Sequence, residues 1–134
     1  MLKQKTQDVE VGGKMYRLNK LDARTGSYIA AKVALMAAPM LKNGAVSEDS
    51  LAAVVPSLNR RDFDELQTLL LQKVQRLNEV EGRALPEPVL TNRGDFVDPE
   101  LAYDVASVMA LTVKSVMFNI GDFFAVAGLT KPAE

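Results

Sequence analysis

The most apolar stretch of this chain is 105-VASVMALTVKSVMFNI-120, and Lys114 is its only charged residue. It predicts a helix with apolar side chains on every side, and such a helix is buried all round. Two interpretations stay open. The helix is the central one of a small domain, or one face packs inside and another contacts a partner. Covering every side is difficult in a chain of 134 residues, which favours a partner contact.

Methionine content also favours a contact surface on this helix. Methionine is a flexible, polarizable side chain that is common at adaptable binding surfaces. The relevant methionines are Met36, Met40, Met109 and Met117. The candidate interaction surface consists of apolar residues in the last quarter of the chain: Met109, Val113, Met117, Phe118, Phe123 and Phe124.

The signals around this stretch predict a C-terminal apolar helix over residues 99–128. Asp98 is a candidate N-cap, Pro99 suits the first helical position, and Glu100 complements the helix dipole. We expect an interruption at Gly121. A break there would let Phe123 and Phe124 fold back on the core or reach a neighbouring chain.

The N-terminal segment, residues 1–21, predicts a β-hairpin. Val9 and Val11 alternate with polar residues, and so do Tyr16 and Leu18. A Gly-Gly pair lies between the two runs and supplies the positive φ that a two-residue hairpin turn needs.

Residues 22–78 predict helices. Asp22 is a candidate cap for an alanine-rich helix that ends near Ala38, and Ser47 is a candidate cap for a short helix from Glu48 to Val55. A longer helix from Arg60 to about Asn78, capped by Asn59 or Ser57, is predicted by apolar residues spaced three and four apart. These residues are Phe63, Leu66, Leu70, Val74 and Leu77.

Residues 79–98 predict a crossover loop, because two prolines and Gly94 leave no helical period. Residues 88–91 are a candidate short edge strand. The whole chain, residues 1–134, is expected to be a single domain. Its expected class is mainly α (α+β), with an N-terminal hairpin followed by four or five helices.

Composition argues against most enzyme classes. The chain has no cysteine and no histidine, which removes thiol chemistry, the commonest metal ligand and the usual acid–base residue. Asp62, Asp64 and Glu65 are a conceivable magnesium site, yet acidic residues collect in first helical turns for dipole reasons alone. We therefore predict no catalytic, cofactor-binding or metal site.

Charge is distributed unevenly along the chain. The formal net charge is −1, but residues 1–42 carry a balance of +5 and residues 43–134 a balance of −6. The N-terminal segment either docks on the rest of its own fold or associates head to tail with another copy. The near-neutral total argues against nucleic acid and anionic membranes as partners. No signal peptide or spanning segment is recognisable, so we expect a cytoplasmic protein.

The order of these elements, with the patterns 12-GGKMYRLNKL-21 and 118-FNIGDFF-124, resembles the tail assembly chaperones of long-tailed bacteriophages. The resemblance covers nearly the whole chain. It implies a small, non-catalytic protein of the host cytoplasm that binds the phage tape measure protein. It also implies recruitment of the tail tube protein, self-association, and a second form extended by frameshifting.

Two alternatives remain beside this resemblance. One is a different phage structural component, such as a head-tail adaptor. The other is a small carboxylate-dependent metal enzyme, which would depend on Asp62 or Asp64.

Overall fold

The computed structural model describes residues 5–37 and 59–126, with side chains described for 5–33 and 59–121. The helix predicted from Glu48 to Val55, and Met40, lie outside these residues. The elements in chain order are β1 (Thr6–Val11), β2 (Lys14–Asn19), α1 (Ala23–Ala37), α2 (Arg60–Leu71), β3 (Val74–Val80), β4 (Arg83–Pro88), a short 3₁₀ helix (Leu101–Tyr103) and α3 (Val105–Val126).

The four strands form one antiparallel sheet in the order β1-β2-β3-β4. Two of the described helices, α1 and α2, lie between β2 and β3 in the sequence. The expectation of a mainly helical domain with four or five helices is therefore wrong. The described residues form three α-helices and a four-stranded sheet, because part of the predicted helix and part of the predicted loop are strands.

The N-terminal hairpin is confirmed. Gly12 and Gly13 have φ values of 61° and 79°, as expected for a two-residue turn with positive φ at both positions. Tyr16 and Leu18 are buried on the inner face of the sheet. On the outer face, Arg17 Nε donates to Asp8 Oδ1 at 2.9 Å across the strand pair.

The predicted caps of α1 and α2 are also confirmed. Asp22 Oδ2 accepts a hydrogen bond from the Thr25 amide at 3.1 Å. Asn59 Oδ1 accepts one from the Asp62 amide at 2.8 Å. Each cap satisfies an amide that the helix leaves without an intrahelical partner.

The helix predicted from Arg60 to Asn78 ends at Leu71, and β3 follows it. The apolar residues of β3 keep the helical spacing of three and four because polar residues occupy positions that a typical strand would fill with apolar ones. Two polar residues of β3 lie on its inner face, where Arg76 binds Asp98 at 2.8 Å and Asn78 binds Glu87 at 2.6 Å. The strand therefore lacks the alternation of apolar and polar residues that reveals a strand.

The predicted crossover loop over 79–98 contains β4, which pairs with β3 through a two-residue turn. Glu81 and Gly82 have φ values of 53° and 78° in this turn. The register places Pro86 and Pro88 opposite Leu77 and Gln75, at non-hydrogen-bonded positions. Their nitrogens therefore face the free edge and cost the ladder no hydrogen bond, so a proline-rich segment forms an edge strand.

The rest of the predicted loop is ordered by backbone hydrogen bonds. The Val89 amide donates to Val74 O at 3.1 Å, and the Val97 amide donates to Val89 O at 3.0 Å. Leu90 and Phe96, which lie between Val89 and Val97 in the sequence, form an isolated antiparallel β-bridge. The candidate strand over 88–91 is thus displaced, because β4 ends at Pro88.

The C-terminal helix differs from the prediction at its start and at Gly121. Asp98 Oδ1 accepts from the Glu100 amide, but only the short 3₁₀ helix follows. Asp104 provides the cap of α3, since its Oδ1 accepts from the Ser107 amide at 3.1 Å. The predicted break at Gly121 is also wrong, because α3 continues to Val126.

Helix α3 lies between two apolar clusters, and none of its residues from 107 to 121 is exposed. The helical cluster packs α3 against α1 and α2. Its buried members are Ile29, Ala30, Val33, Leu66, Leu70, Val113, Val116 and Ile120. The sheet cluster packs the opposite side of α3 on the strands and on the loop after β4. Its buried members are Val11, Tyr16, Leu18, Leu71, Val74, Val89, Leu90, Leu101 and Leu111.

Candidate interaction surfaces

The six candidate residues of the C-terminal helix have different environments. Met109 and Met117 are half-buried against the helical cluster, and Val113 is a buried member of it. Phe118 packs, half-buried, against the sheet cluster. The side chains of Phe123 and Phe124 lie outside the described residues. Met109, Met117 and Phe118 therefore keep a partly accessible surface, whereas Val113 contacts only its own fold.

Phe118 is held by the segment that joins β2 to α1. The ammonium of Lys20 lies 4.3 Å from the centroid of the Phe118 ring, a cation–π distance, and donates a hydrogen bond to the Phe118 carbonyl. The next residue, Asn119, accepts a hydrogen bond from the Leu21 amide at 2.7 Å. These contacts connect the N-terminal hairpin to α3.

The acidic residues at the start of α2 bind cations of the same chain. Lys32 Nζ lies 2.8 Å from Asp62 Oδ1, and Arg60 Nε lies 2.9 Å from Asp64 Oδ2. The Lys32 ammonium beside Asp62 holds the pKa of that carboxyl below its usual value. Among the described residues, no group of three His, Cys, Asp or Glu side chains is placed to hold a metal ion. Asp62 thus connects α2 to α1 through Lys32, whereas Asp64 pairs with Arg60 within α2.

A cleft with a lysine-rich lining lies at the end of the sheet where β3 begins. Its volume is about 930 Å³, which is near the upper end of the range for ligand pockets. We call it the basic cleft. It is lined by Lys5, Thr6, Asn19, Lys20, Gln72, Lys73, Gln75, Pro88, Leu90, Thr91, Asn92 and Val97. No Asp or Glu occurs among these described lining residues.

Hydrogen bonds fix the walls of the basic cleft. The Asn19 side chain donates to Lys73 O at 2.9 Å and to Gln75 Oε1 at 3.2 Å. The Lys20 amide donates to Lys5 O at 2.9 Å. Three separate parts of the sequence therefore form the walls of the cleft. The spacing of its lysines along the chain does not predict the cleft.

Exposed apolar side chains lie toward the opposite end of the sheet. Val80 and Leu85, in the β3–β4 hairpin, are each 48% exposed. Tyr103 and Val105, where the 3₁₀ helix meets α3, are 91% and 77% exposed. Large apolar side chains with this exposure are typical of binding surfaces when they occur together.

The turn of the β3–β4 hairpin carries two glutamates and one exposed cation, Arg83, and therefore has a net charge of −1. We call residues 79–83 the hairpin tip. Glu79 and Glu81 are exposed, and neither has an ion pair with another described residue. The surface thus offers two kinds of contact, a basic cleft and an acidic, partly apolar tip, and both are suited to binding another protein.

Comparison with known protein families assigns the chain to one of them. The family model for "Phage tail assembly chaperone protein, TAC" matches residues 12–130. The chain belongs to the phage tail assembly chaperone family. This confirms the resemblance given by the two sequence patterns. No curated protein and no solved structure matches the chain.

Membership has consequences for function. Proteins of this family take part in building phage tails, so this tail assembly chaperone interacts with other phage tail proteins. The family also suggests a non-catalytic protein. Within the part of the chain that the structure describes, no helix has the length and apolar character needed to cross a membrane.

Proposed function

We propose that this tail assembly chaperone binds the phage tape measure protein in the host cytoplasm and helps recruit tail tube subunits around it. It acts by binding and without catalysis, and copies of it associate with one another. The observation that carries this proposal is the family match over residues 12–130.

The surface chemistry supports a binding role. The described acidic residues that lie close together at the start of α2 are occupied by Lys32 and Arg60. The exposed apolar side chains of the β3–β4 hairpin and of the start of α3 instead suit a protein contact. A long protein with apolar patches needs a binding partner to stay soluble before it is assembled.

The C-terminal helix remains the proposed contact for the tape measure protein. Met109 and Met117 support this, because each keeps part of its flexible side chain accessible beside the helical cluster. Phe118 is accessible in part beneath Lys20. Phe123 and Phe124 belong to the same proposed contact through their positions in the sequence.

The direct experiment is affinity capture. The tagged chain is co-expressed with the tape measure protein and the tail tube protein of the same phage, and the captured proteins are identified. The tape measure protein is expected to be captured at a fixed ratio. Capture of neither protein would contradict the proposal.

A pair of variants tests the proposed contact. Met109→Ala and Met117→Ala are expected to weaken capture of the tape measure protein. Leu69→Ala is the matched control, since Leu69 of α2 is also half-buried against the helical cluster. If the control lowers stability and capture as much as the methionine variants do, the loss reflects folding and the contact is misplaced.

A further inference from the structure

The basic cleft and the hairpin tip are complementary surfaces of one chain. We propose that the hairpin tip of one copy binds in the basic cleft of the next copy, so that copies join head to tail. This inference rests on the self-association proposed above and gives it a contact.

The two surfaces lie at opposite ends of the same strand. Lys73 and Gln75, at the start of β3, line the cleft, and Val80 ends β3 at the tip. Seven strand residues separate the two ends by about 20 Å. A tip therefore cannot occupy the cleft of its own sheet, and the contact must form between copies.

Charge favours this pairing. Lys5 and Lys73 are exposed in a lining that includes no described acidic residue. Several acidic residues elsewhere in the described chain bind cations, as Asp8 binds Arg17 and Asp98 binds Arg76. The carboxylates of the tip do not, so they are available to a second copy.

The apolar parts of the two surfaces also correspond. Val80 stands half-exposed between Glu79 and Glu81. The cleft offers Pro88, Leu90 and Val97 beside its lysines. A tip in the cleft would cover Val80 with these residues while its carboxylates meet the ammonium groups.

The free edge of β4 is unsuited to the addition of a further strand. Pro86 and Pro88 lack the amide hydrogens that a further strand would need at that edge. The tip of one copy can still contact β4 of the next copy through its side chains. Because donor and acceptor surfaces differ, each added copy leaves one tip and one cleft free, and the assembly grows as a chain.

The test uses the isolated full chain in sedimentation velocity over a wide concentration range at low salt. The average sedimentation coefficient is expected to rise with concentration and to fall when salt is added, since exposed ion pairs are screened. The tape measure protein is absent, so this experiment can fail while its capture succeeds.

Charge reversal identifies the surfaces. Glu79→Lys with Glu81→Lys reverses the tip, and Lys5→Glu with Lys73→Glu reverses the cleft. Each double variant is expected to lower the association constant at least about tenfold, because like charges then face one another. Arg24→Glu with Arg61→Glu is the control. It makes the same change in net charge as the cleft variant, on exposed residues outside both surfaces.

Mixing gives the decisive result. When the two double variants are combined in equal amounts, the lysine tip of one fits the glutamate cleft of the other, and the unchanged pair also matches. Association is therefore expected to be stronger in the mixture than in either variant alone. A wild-type chain that is monomeric throughout would overturn the proposal. So would double variants that assemble like the control, or a mixture that does not associate.

Discussion

Gly12 of the β1–β2 turn lies directly against Ser107 of α3. A Cβ atom built on Gly12 would lie 2.9 Å from Ser107 Oγ, closer than real Cβ contacts allow. The neighbouring Gly13 has no atom within 4 Å of the same position. Ser107 is itself buried, and its hydroxyl donates to Asp104 Oδ2 at 2.7 Å. The turn is thus fitted to the capped start of the helix.

Because of this contact, alanine at Gly12 and alanine at Gly13 should lower stability by different amounts. Both glycines have positive φ, so alanine at either position costs about 1–2 kcal/mol. Gly12→Ala is expected to cost more than Gly13→Ala, because it also displaces Ser107 and its hydrogen bond. Urea unfolding of both variants measures the difference. Equal losses would show that the turn does not press on α3.

The second turn offers a stabilising change. Glu81 has a φ of 53°, in a turn type that favours asparagine or glycine at this position. Glu81→Asn is expected to raise the free energy of unfolding by up to about 1 kcal/mol, because asparagine adopts positive φ more readily than glutamate does. Urea unfolding is done at high salt and low concentration, so that association does not contribute. A lower stability than wild type would refute the turn geometry.

Because α3 lies between two clusters, truncating a buried side chain on either side of it should lower the free energy of unfolding. Leu111 is buried on the sheet side and Val116 on the helical side. Leu111→Ala is expected to cost about 2–5 kcal/mol. Val116→Ala, which removes two methyl groups, should also cost well over 1 kcal/mol. The control Val105→Ala, at a mostly exposed position of the same helix, should change stability by less than about 0.5 kcal/mol. If only one buried variant is destabilising, α3 is covered on one side alone.

Acid should weaken the start of α3. Hydrogen bonds from the hydroxyl and amide of Ser107 hold the pKa of Asp104 below its usual value. Since the folded pKa is the lower one, this group stabilises the fold above its unfolded pKa of about 4 and stops doing so as the pH falls through its folded value. Asp104→Asn should therefore be less stable than wild type near neutral pH, and the difference should shrink in acid. A difference in unfolding free energy that is independent of pH would contradict this.

Sequence patterns predicted the elements whose signals are local. The Gly-Gly turn, the alternation around Tyr16, and the caps Asp22 and Asn59 each act within a few residues, and each was confirmed. Strand β3 was missed because Arg76 and Asn78 face inward to meet Asp98 and Glu87, partners that lie 22 and 9 residues away. Strand β4 was missed because it contains two prolines. They fit an edge strand only when their nitrogens face away from the neighbouring strand, and that depends on the register. A Glu-Gly pair between two short runs was the one local signal of that hairpin.

The interaction surfaces were predictable only in part. The apolar character of α3 was evident, but whether Val113 is accessible depends on how α1 and α2 pack over it. The basic cleft unites Lys5, Lys20 and Lys73, which come from separate parts of the chain, so no spacing rule reveals it. The family assignment succeeded because its patterns, near Gly12 and near Phe118, are contiguous.

We propose that this tail assembly chaperone keeps the tape measure protein soluble by binding it. The most direct measurement is light scattering while denatured tape measure protein is diluted into buffer, with and without an equimolar amount of the chain. We expect the chain to suppress scattering and a soluble complex of both proteins to be recovered by size-exclusion chromatography. Equal scattering in both samples, with the chain eluting alone, would contradict it.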